Sequence, residues 1–331
     1  MQNMKKKIRV GIIGAGNFAQ INHIPCLLSN SLVEIPWVFD KNKNQSRRIE
    51  SMYGLNAIDE MQLESKLKDI DMALLTVPYG SRDGYYDLLS KNEVAVYVEK
   101  PFARSIAEHK IISNYFDKSS LAVGFNRRFY KNHLTIKEIL CQNIFGKLNG
   151  ISIRQGYFSI SGGSGFRSNA KLSGGGVLIE SGIHLIDAAL FIIDPINTTV
   201  RNKKVLHDLG IDYHTEASGD FILSSGRGVS FSLEISTLQN FKSGIWFDFE
   251  NAKIHCPMDP GESISVLDNH GYPIGKIEWC IGGATTVEQS LSMAWADFIN
   301  SYLERGKSFL SEDKFRLTSD LLEQIYVGVE L

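Results

Sequence analysis

The stretch Val10-Gly11-Ile12-Ile13-Gly14-Ala15-Gly16-Asn17-Phe18-Ala19 constrains the chain more than any other. An apolar run, Ile8 to Ile13, enters a glycine-rich turn, and a helical pattern opens behind it. Gly14, Gly16 and Ala19 occupy the small-residue positions of a G-x-G-x-x-G/A dinucleotide fingerprint. The first glycine permits the tight turn, and the second lets backbone approach a pyrophosphate with no Cβ in the way. The alanine lets the helix sit close on the sheet, and the helix N-terminus offers free N–H groups to phosphate. Asn17 and Phe18 lie inside the motif and join the candidate contacts. Asp40 ends the next apolar run, Val33 to Phe39, where a carboxylate accepts ribose hydroxyls.

A chain of 331 residues exceeds one compact core, so two domains are expected. The net charge of −2 and the absence of basic clusters beyond Lys5-Lys6-Lys7 give no support to nucleic-acid binding. Cys26, Cys141, Cys256 and Cys280 are scattered, which argues against a metal site and for reduced thiols in the cytoplasm. The glycine turn interrupts the first apolar segment too early for a signal peptide. The longest apolar stretch, Val177 to Ile193, carries Glu180, His184 and Asp187, which a membrane helix tolerates poorly.

From Ile8 to Phe125 short apolar runs (Ile8–Ile13, Val33–Phe39, Ile70–Val77, Val94–Val98, Leu121–Phe125) alternate with helical patterns. Those helices are expected over Phe18–Leu28, Asn44–Met52, Gly84–Leu89 and Ala107–Phe116. Apolar strands without alternation imply a parallel sheet covered on both faces, a doubly wound α/β domain over residues 1–127. Its ligand belongs at the carboxyl ends of the strands. Two loops fall there: Thr76-Val77-Pro78-Tyr79, and Glu99-Lys100-Pro101, where proline pins a charged pair.

Past Lys131 the rhythm changes. A helix over Leu134–Cys141, a strand over Asn149–Ile160 and a glycine-rich loop, Ser161–Asn169, precede an apolar helix that stops at Asp194-Pro195. From Thr198 to Val266 the pattern is β-rich, which predicts an antiparallel sheet with one face packed. Helices over Val287–Leu303 and Lys314–Val329 close an α+β domain spanning residues 128–331.

The set Gly14-x-Gly16-x-x-Ala19, Asp40 and Glu99-Lys100-Pro101 resembles the Gfo/Idh/MocA oxidoreductase family. The resemblance continues through Gly124-Phe125-Asn126-Arg127-Arg128-Phe129 and through Gly174-Gly175-Gly176-Val177-Leu178-Ile179-Glu180-Ser181-Gly182-Ile183-His184-Leu185-Ile186-Asp187. It implies a Rossmann domain followed by a substrate domain with a large, mostly antiparallel sheet, and C-terminal helices packing back toward the first domain. It also implies hydride transfer between NAD, with NADP not excluded, and a secondary alcohol or ketone of a sugar, nucleotide sugar or cyclic polyol. An NADPH-dependent ketosugar reductase and a catalytically silent cofactor-binding regulator are the competing expectations. A homodimer or homotetramer is implied through the open face of the second sheet.

Residue by residue, the resemblance places Lys100 against the reacting hydroxyl and His184 as acid and base. Asp187 is expected to orient His184 and, with Glu180, Arg167 and Tyr157, to bind substrate, with Tyr157 the alternative proton donor. Spacing i, i+4, i+7 predicts Glu180, His184 and Asp187 on one helix face. Thr76, Pro78, Glu99, Lys100, Pro101 and Asn126 complete the expected cofactor contacts. Arg127 and Arg128 are candidates either for the cofactor or for holding the domain junction. Two departures stand out: Glu180 replaces the commoner aspartate, and Arg82 stands where the family commonly has histidine. Asp40 favours NAD, while Lys41, Lys43, Arg47 and Arg48 beside it are the feature that would admit a phosphate.

Overall fold

In the computed structural model, which describes residues 7–159, 165–278 and 281–329, β1 (Ile8–Ile13) is buried between parallel neighbours. The expected second strand is interrupted. It forms β2 (Val33–Glu34) and β3 (Val38–Phe39), both paired with β1, on either side of Pro36 and Trp37. Proline lacks the N–H a ladder needs. Trp37 turns into the core beside Gly11, where a Cβ would come within 2.5 Å of the indole. Thus Gly11 is a packing glycine, and Trp37 donates its indole N–H to the Lys66 carbonyl at 3.1 Å.

Strands β4 (Met72–Leu75), β5 (Ala95–Val98) and β6 (Leu121–Val123) complete a parallel sheet in the order β2-β1-β4-β5-β6. Helices α1 (Ile24–Ser29), α2 (Lys43–Tyr53), α3 (Glu60–Lys66), α4 (Asp83–Lys91) and α5 (Ile106–Ser113) alternate with the strands. The helix α3 went unmarked by periodicity, because only Leu63 of its residues is buried. A capping box between Asp59 and Gln62 starts it instead.

The chain separates into two compact units. The first comprises residues up to Phe102, Ala107–Phe125 and Leu291–Lys314. In it the outer edge of β6 is covered by chain from near the other terminus. Val123 donates to the Leu310 carbonyl at 2.9 Å, and Ala122 bridges Ser311. A single cut at residue 127 therefore does not describe the division.

The second unit holds α6 (Lys131–Cys141), α7 (Ala170–Ser173), α8 (Ile183–Ile193) and an eight-stranded sheet. Its strands are β7 (Leu148–Gly156), β8 (Asn197–Asp208), β9 (Ile211–Ile222), β10 (Gly228–Ser236), β11 (Phe241–Phe249), β12 (Lys253–Pro257), β13 (Ile264–Leu267) and β14 (Pro273–Ile277). The order is β14-β13-β12-β11-β7-β10-β9-β8, antiparallel except for β7 beside β10. Helix α8 is apolar because ten of its eleven residues are buried within the unit.

Helices α9 (Val287–Glu304) and α10 (Arg316–Tyr326) end the chain. From Leu291 on, α9 belongs to the first unit, whereas α10 lies on β8 of the second. Gln324 accepts from the Val200 N–H at 2.8 Å, and Lys203 donates to the Val327 carbonyl at 2.6 Å. Ile160, the loop residues Ser161–Ser164 and Cys280 lie outside the described residues, as do Lys5 and Lys6.

On α6, His133 is fully buried, with Nδ1 2.8 Å from the Arg127 carbonyl. A carbonyl only accepts, so Nδ1 carries the proton. Burial pushes its pKa down from 6.5 to about 4. The unfolded chain therefore binds a proton near 6.5 that the folded chain refuses until about 4. Stability contributed by the neutral ring is complete above the unfolded value and is lost as pH falls through this window. The expected loss is about 3 kcal/mol. Urea midpoints of the parent and His133→Gln, compared at about pH 7.5 and about pH 4.5, should show the variant less sensitive to acid.

Candidate active site

The first unit builds a nucleotide cradle. Gly14 has φ +102°, and a Cβ there would meet Thr76 Oγ1 at 2.7 Å and its carbonyl carbon at 2.8 Å. Thr76 donates from Oγ1 to the Gly14 carbonyl at 2.7 Å, so it braces the turn. Gly16 differs: a Cβ there would have no neighbour within 4 Å. Nothing in the protein requires glycine at that point, and the open space is what a pyrophosphate needs. Ala19 is buried, Asn17 and Phe18 are exposed, and the helix opens as a π turn, Ala19–His23, before Pro25 of α1. A dinucleotide therefore fits here, with Gly14, Gly16 and the helix N-terminus holding its phosphates.

Asp40 Oδ2 accepts the Ala15 N–H at 2.7 Å, and Oδ1 accepts the Asn42 N–H at 2.7 Å. The carboxylate is thereby aimed across the turn while it stays half-buried. Of the basic neighbours, Lys43 pairs with Asp59 at 2.8 Å, and Lys41, Arg47 and Arg48 are exposed.

Arg82 is the largest surprise of this half. It is 3% exposed and spans two loops. Its guanidinium donates to the Pro101 carbonyl at 2.5 Å, the Val77 carbonyl at 3.2 Å and the Lys100 carbonyl at 3.4 Å. Five fixed N–H donors on one planar group suit it to gripping several carbonyls together. Arg82 thus locks the Val77-Pro78 loop to the Lys100-Pro101 segment, whose peptide bond is cis. Lys100 and Pro78 are half-buried, and Glu99 is buried. Asn126 falls in the second unit, buried, and its amide donates to Ser290 Oγ at 2.6 Å.

The second unit explains its triple glycine by packing. Gly174, at φ +83°, ends α7, which Asn169 caps. A Cβ on Gly175 would strike the Tyr326 hydroxyl at 2.6 Å, and one on Gly176 would overlap the Asp212 backbone. Asp212, 1% exposed, then caps the following helix. Its carboxylate accepts the Gly176 N–H at 2.5 Å, the Leu178 N–H at 2.9 Å and the Tyr326 hydroxyl at 2.6 Å. Burial and the Asp212 charge hold the Tyr326 phenol well above its usual range, so it remains a donor. Arg104 stands over the Tyr326 ring at 4.4 Å.

That helix begins as a π turn, Leu178–Gly182, before α8. The wider turn shifts the 3.6-residue phase between Glu180 and the residues of α8, whereas His184 and Asp187 lie three apart within α8. Glu180 is exposed and pairs with Arg167 at 2.8 Å. Tyr157 hydrogen-bonds Ser181, and burial together with the Glu180 charge raises its pKa, which keeps the phenol protonated. His184 is half-buried at the first turn of α8. Asp187 is directed elsewhere. It is 1% exposed and takes a two-pronged contact from Arg128, Nη2 at 2.7 Å and Nε at 3.0 Å, with Thr318 at 3.4 Å. Arg128 lies over the Phe315 ring at 4.0 Å. The pair is an internal tie of the second unit, which corrects both the expected substrate contact of Asp187 and the cofactor alternative for Arg128. The structure therefore brings Tyr157, Arg167, Glu180 and Ser181 together, and withdraws Asp187. Among the described residues no group of His, Cys, Asp and Glu could hold a metal ion.

Comparisons with known proteins identify the family and the fold. The model of an oxidoreductase family with an NAD-binding Rossmann fold, Gfo/Idh/MocA, matches residues 8–126, and that of the Gfo/Idh/MocA C-terminal domain matches residues 133–255. A D-glucoside 3-dehydrogenase of Escherichia coli (strain K12) is 27% identical over 190 residues, 56% of this chain and 54% of that protein. A dTDP-3,4-didehydro-2,6-dideoxy-alpha-D-glucose 3-reductase of Saccharopolyspora spinosa is 21% identical over 72% of this chain and 71% of its own. The structure of an aldose-aldose oxidoreductase from Caulobacter crescentus superposes with a TM-score of 0.83 at 15% identity, covering 98% of each chain. The chain belongs to the Gfo/Idh/MocA family of NAD(P)-binding oxidoreductases.

Proposed function

We propose that the protein moves a hydride between NAD and the carbon-3 alcohol or ketone of a pyranose sugar, free, glycosidic or nucleotide-linked. The observation that carries this reading is the polar cluster of Tyr157, Arg167, Glu180 and Ser181, gathered at the start of an otherwise buried helix that also carries His184. The glucoside dehydrogenase and the deoxysugar reductase named above share position 3 in their names, which supports the site of reaction. NAD is favoured over NADP because Asp40 is fixed toward the glycine turn and Lys43 is drawn off by Asp59.

The bound nicotinamide supplies or accepts the hydride. The protein handles the proton and the geometry. Lys100 polarises the reacting oxygen with its ammonium, and His184 takes or returns the hydroxyl proton. Glu180 accepts hydrogen bonds from neighbouring hydroxyls. Arg167, held by Glu180 through an exposed pair worth about 0–1 kcal/mol, is cheaply released to an anionic group. Tyr157, a protonated phenol, is the second proton donor. The same reading makes the protein a cytoplasmic homodimer or homotetramer. The groove on the open face of the large sheet, floored by Ser152, Ser232 and Trp246 between the Arg154–Glu234 and Lys253–Asp248 pairs, supports that assembly.

The test follows nicotinamide absorbance with NAD and NADP against free sugars, glucosides, nucleotide sugars and inositols. Gly16→Ala is the control, because its Cβ has space in the protein and none beside a pyrophosphate. Its stability should stay within about 0.5 kcal/mol of the parent while dinucleotide affinity falls at least about tenfold. Turnover of inositols alone would move the substrate to cyclic polyols.

A further inference from the structure

The first unit buries a chain of hydrogen bonds that joins the π turn, the end of β5 and α9. His23 is 0% exposed. Its Nδ1 lies 3.1 Å from Trp295 Nε1, and its Nε2 lies 2.9 Å from Glu99 Oε1. An indole nitrogen only donates. Nδ1 is therefore the acceptor, and the proton of the neutral imidazole sits on Nε2, aimed at the carboxylate. Aromatic neighbours hold this orientation. Trp295 stacks on Tyr97 at 4.5 Å between ring centres, and Phe18 and Tyr97 meet the imidazole edge-on at 5.3 and 5.5 Å.

Glu99 is confined from the other side as well. A Cβ on Gly124 would lie 2.5 Å from Glu99 Oε1, so the glycine of Gly124-Phe125-Asn126 makes room for this carboxylate. Oε2 accepts no hydrogen bond among the described residues, although only 12% of the side chain is exposed. With Oε1 engaged by His23, Oε2 is the carboxylate oxygen left to accept a donor from a ligand. It stands at the carboxyl end of a parallel strand, one residue before Lys100, where the ligand of such a sheet binds.

We propose that Trp295, His23 and Glu99 form a directed chain that fixes Glu99 Oε2 as the acceptor for the carboxamide N–H of nicotinamide. His23 is a positioning residue in this scheme and touches no reacting atom. The inference rests on the reading that the protein binds a nicotinamide dinucleotide, and two measurements separate the two ideas.

The first needs no cofactor. Nitrogen-15 NMR of the histidine rings in the full chain should show His23 neutral with the proton on Nε2. A proton on Nδ1, or a charged ring at neutral pH, overturns the chain. The second is dinucleotide affinity, read by NADH fluorescence and by competition. His23→Met should weaken NAD at least about tenfold, since a hydrogen bond to a charged group is at stake. His23→Gln should recover affinity to within about threefold, because one amide both accepts from Trp295 and donates to Glu99. A glutamine variant as weak as the methionine one overturns the proposal. The 3-acetylpyridine analogue of NAD has a ketone in place of the amide, so His23→Met should bind it as the parent does. Equal losses with both dinucleotides overturn the carboxamide assignment. Trp295→Phe keeps the stacking and removes only the indole donor, and serves if His23→Met fails to fold. A penalty of about threefold confined to NAD is expected, and no penalty overturns the chain. A parent protein that binds neither dinucleotide overturns the cofactor reading itself, a result distinct from all of these.

Discussion

Lys100→Met is expected to lower turnover by about a thousandfold while NADH affinity stays within about threefold of the parent. Methionine keeps the unbranched stem and removes the ammonium. The backbone that carries it is independently fixed, since Arg82 grips the carbonyls of Lys100, Pro101 and Val77. The substitution therefore isolates the charge from the loop. If Lys100 acts on the developing oxyanion, kcat falls and the Michaelis constant moves little. Steady-state kinetics on the best substrate of the panel, with fluorescence titration of NADH, would show it. Loss of NADH affinity with kcat retained would reassign Lys100 to cofactor binding. Unchanged kinetics would remove it from the chemistry.

Asp212→Ala is expected to cost about 4 kcal/mol of stability, because it strands several buried donors together. The Gly176 and Leu178 N–H groups, the Tyr326 hydroxyl and Thr215 Oγ1 all converge on this carboxylate. Asp212→Asn should lie between parent and alanine, since its amide nitrogen cannot accept. Tyr326→Phe should cost about 1 kcal/mol, the net value of one hydrogen bond. Urea denaturation followed by fluorescence would rank the variants. An alanine variant within about 1 kcal/mol of the parent would mean that the π turn holds without its cap. The helix so capped carries Glu180 and His184, so the loss should be felt at the site before the unit unfolds.

The fold was legible where local pattern and tertiary need coincide. Ile8–Ile13 is apolar throughout and becomes a central strand, and the fingerprint glycines behave as turn and cradle. Pattern reading faltered where a residue is used by something distant. Pro36 and Trp37 split an apolar run, because Trp37 fills the space over Gly11. The two π turns leave no trace in a periodicity fixed at 3.6 residues, so the spacing predicts Glu180 and Asp187 on one face, whereas Glu180 is exposed and Asp187 buried. Asp212 stands in a β-strand outside every motif, 36 residues from the N–H it caps. Arg82 was visible only as a departure, and its grip on the Lys100 segment depends on loops that meet in space. The triple glycine was legible as a motif, yet its cause is Asp212 and Tyr326 rather than a ligand.

The covered edge of β6 has a consequence for how the protein is made on the ribosome. Its nucleotide-binding unit is the first to emerge, and domains generally fold in that order during synthesis. Here the strand order is complete by Val123, but the edge of β6 stays open until Leu310 and Ser311 arrive, and Tyr97 waits for Trp295. An unpaired strand edge is a template for wrong partners. The nascent unit must therefore carry that exposed edge through the synthesis of Asn126–Ser290, the greater part of the second unit. The period of greatest risk to the chain falls in translation, before any cofactor has a finished site to occupy.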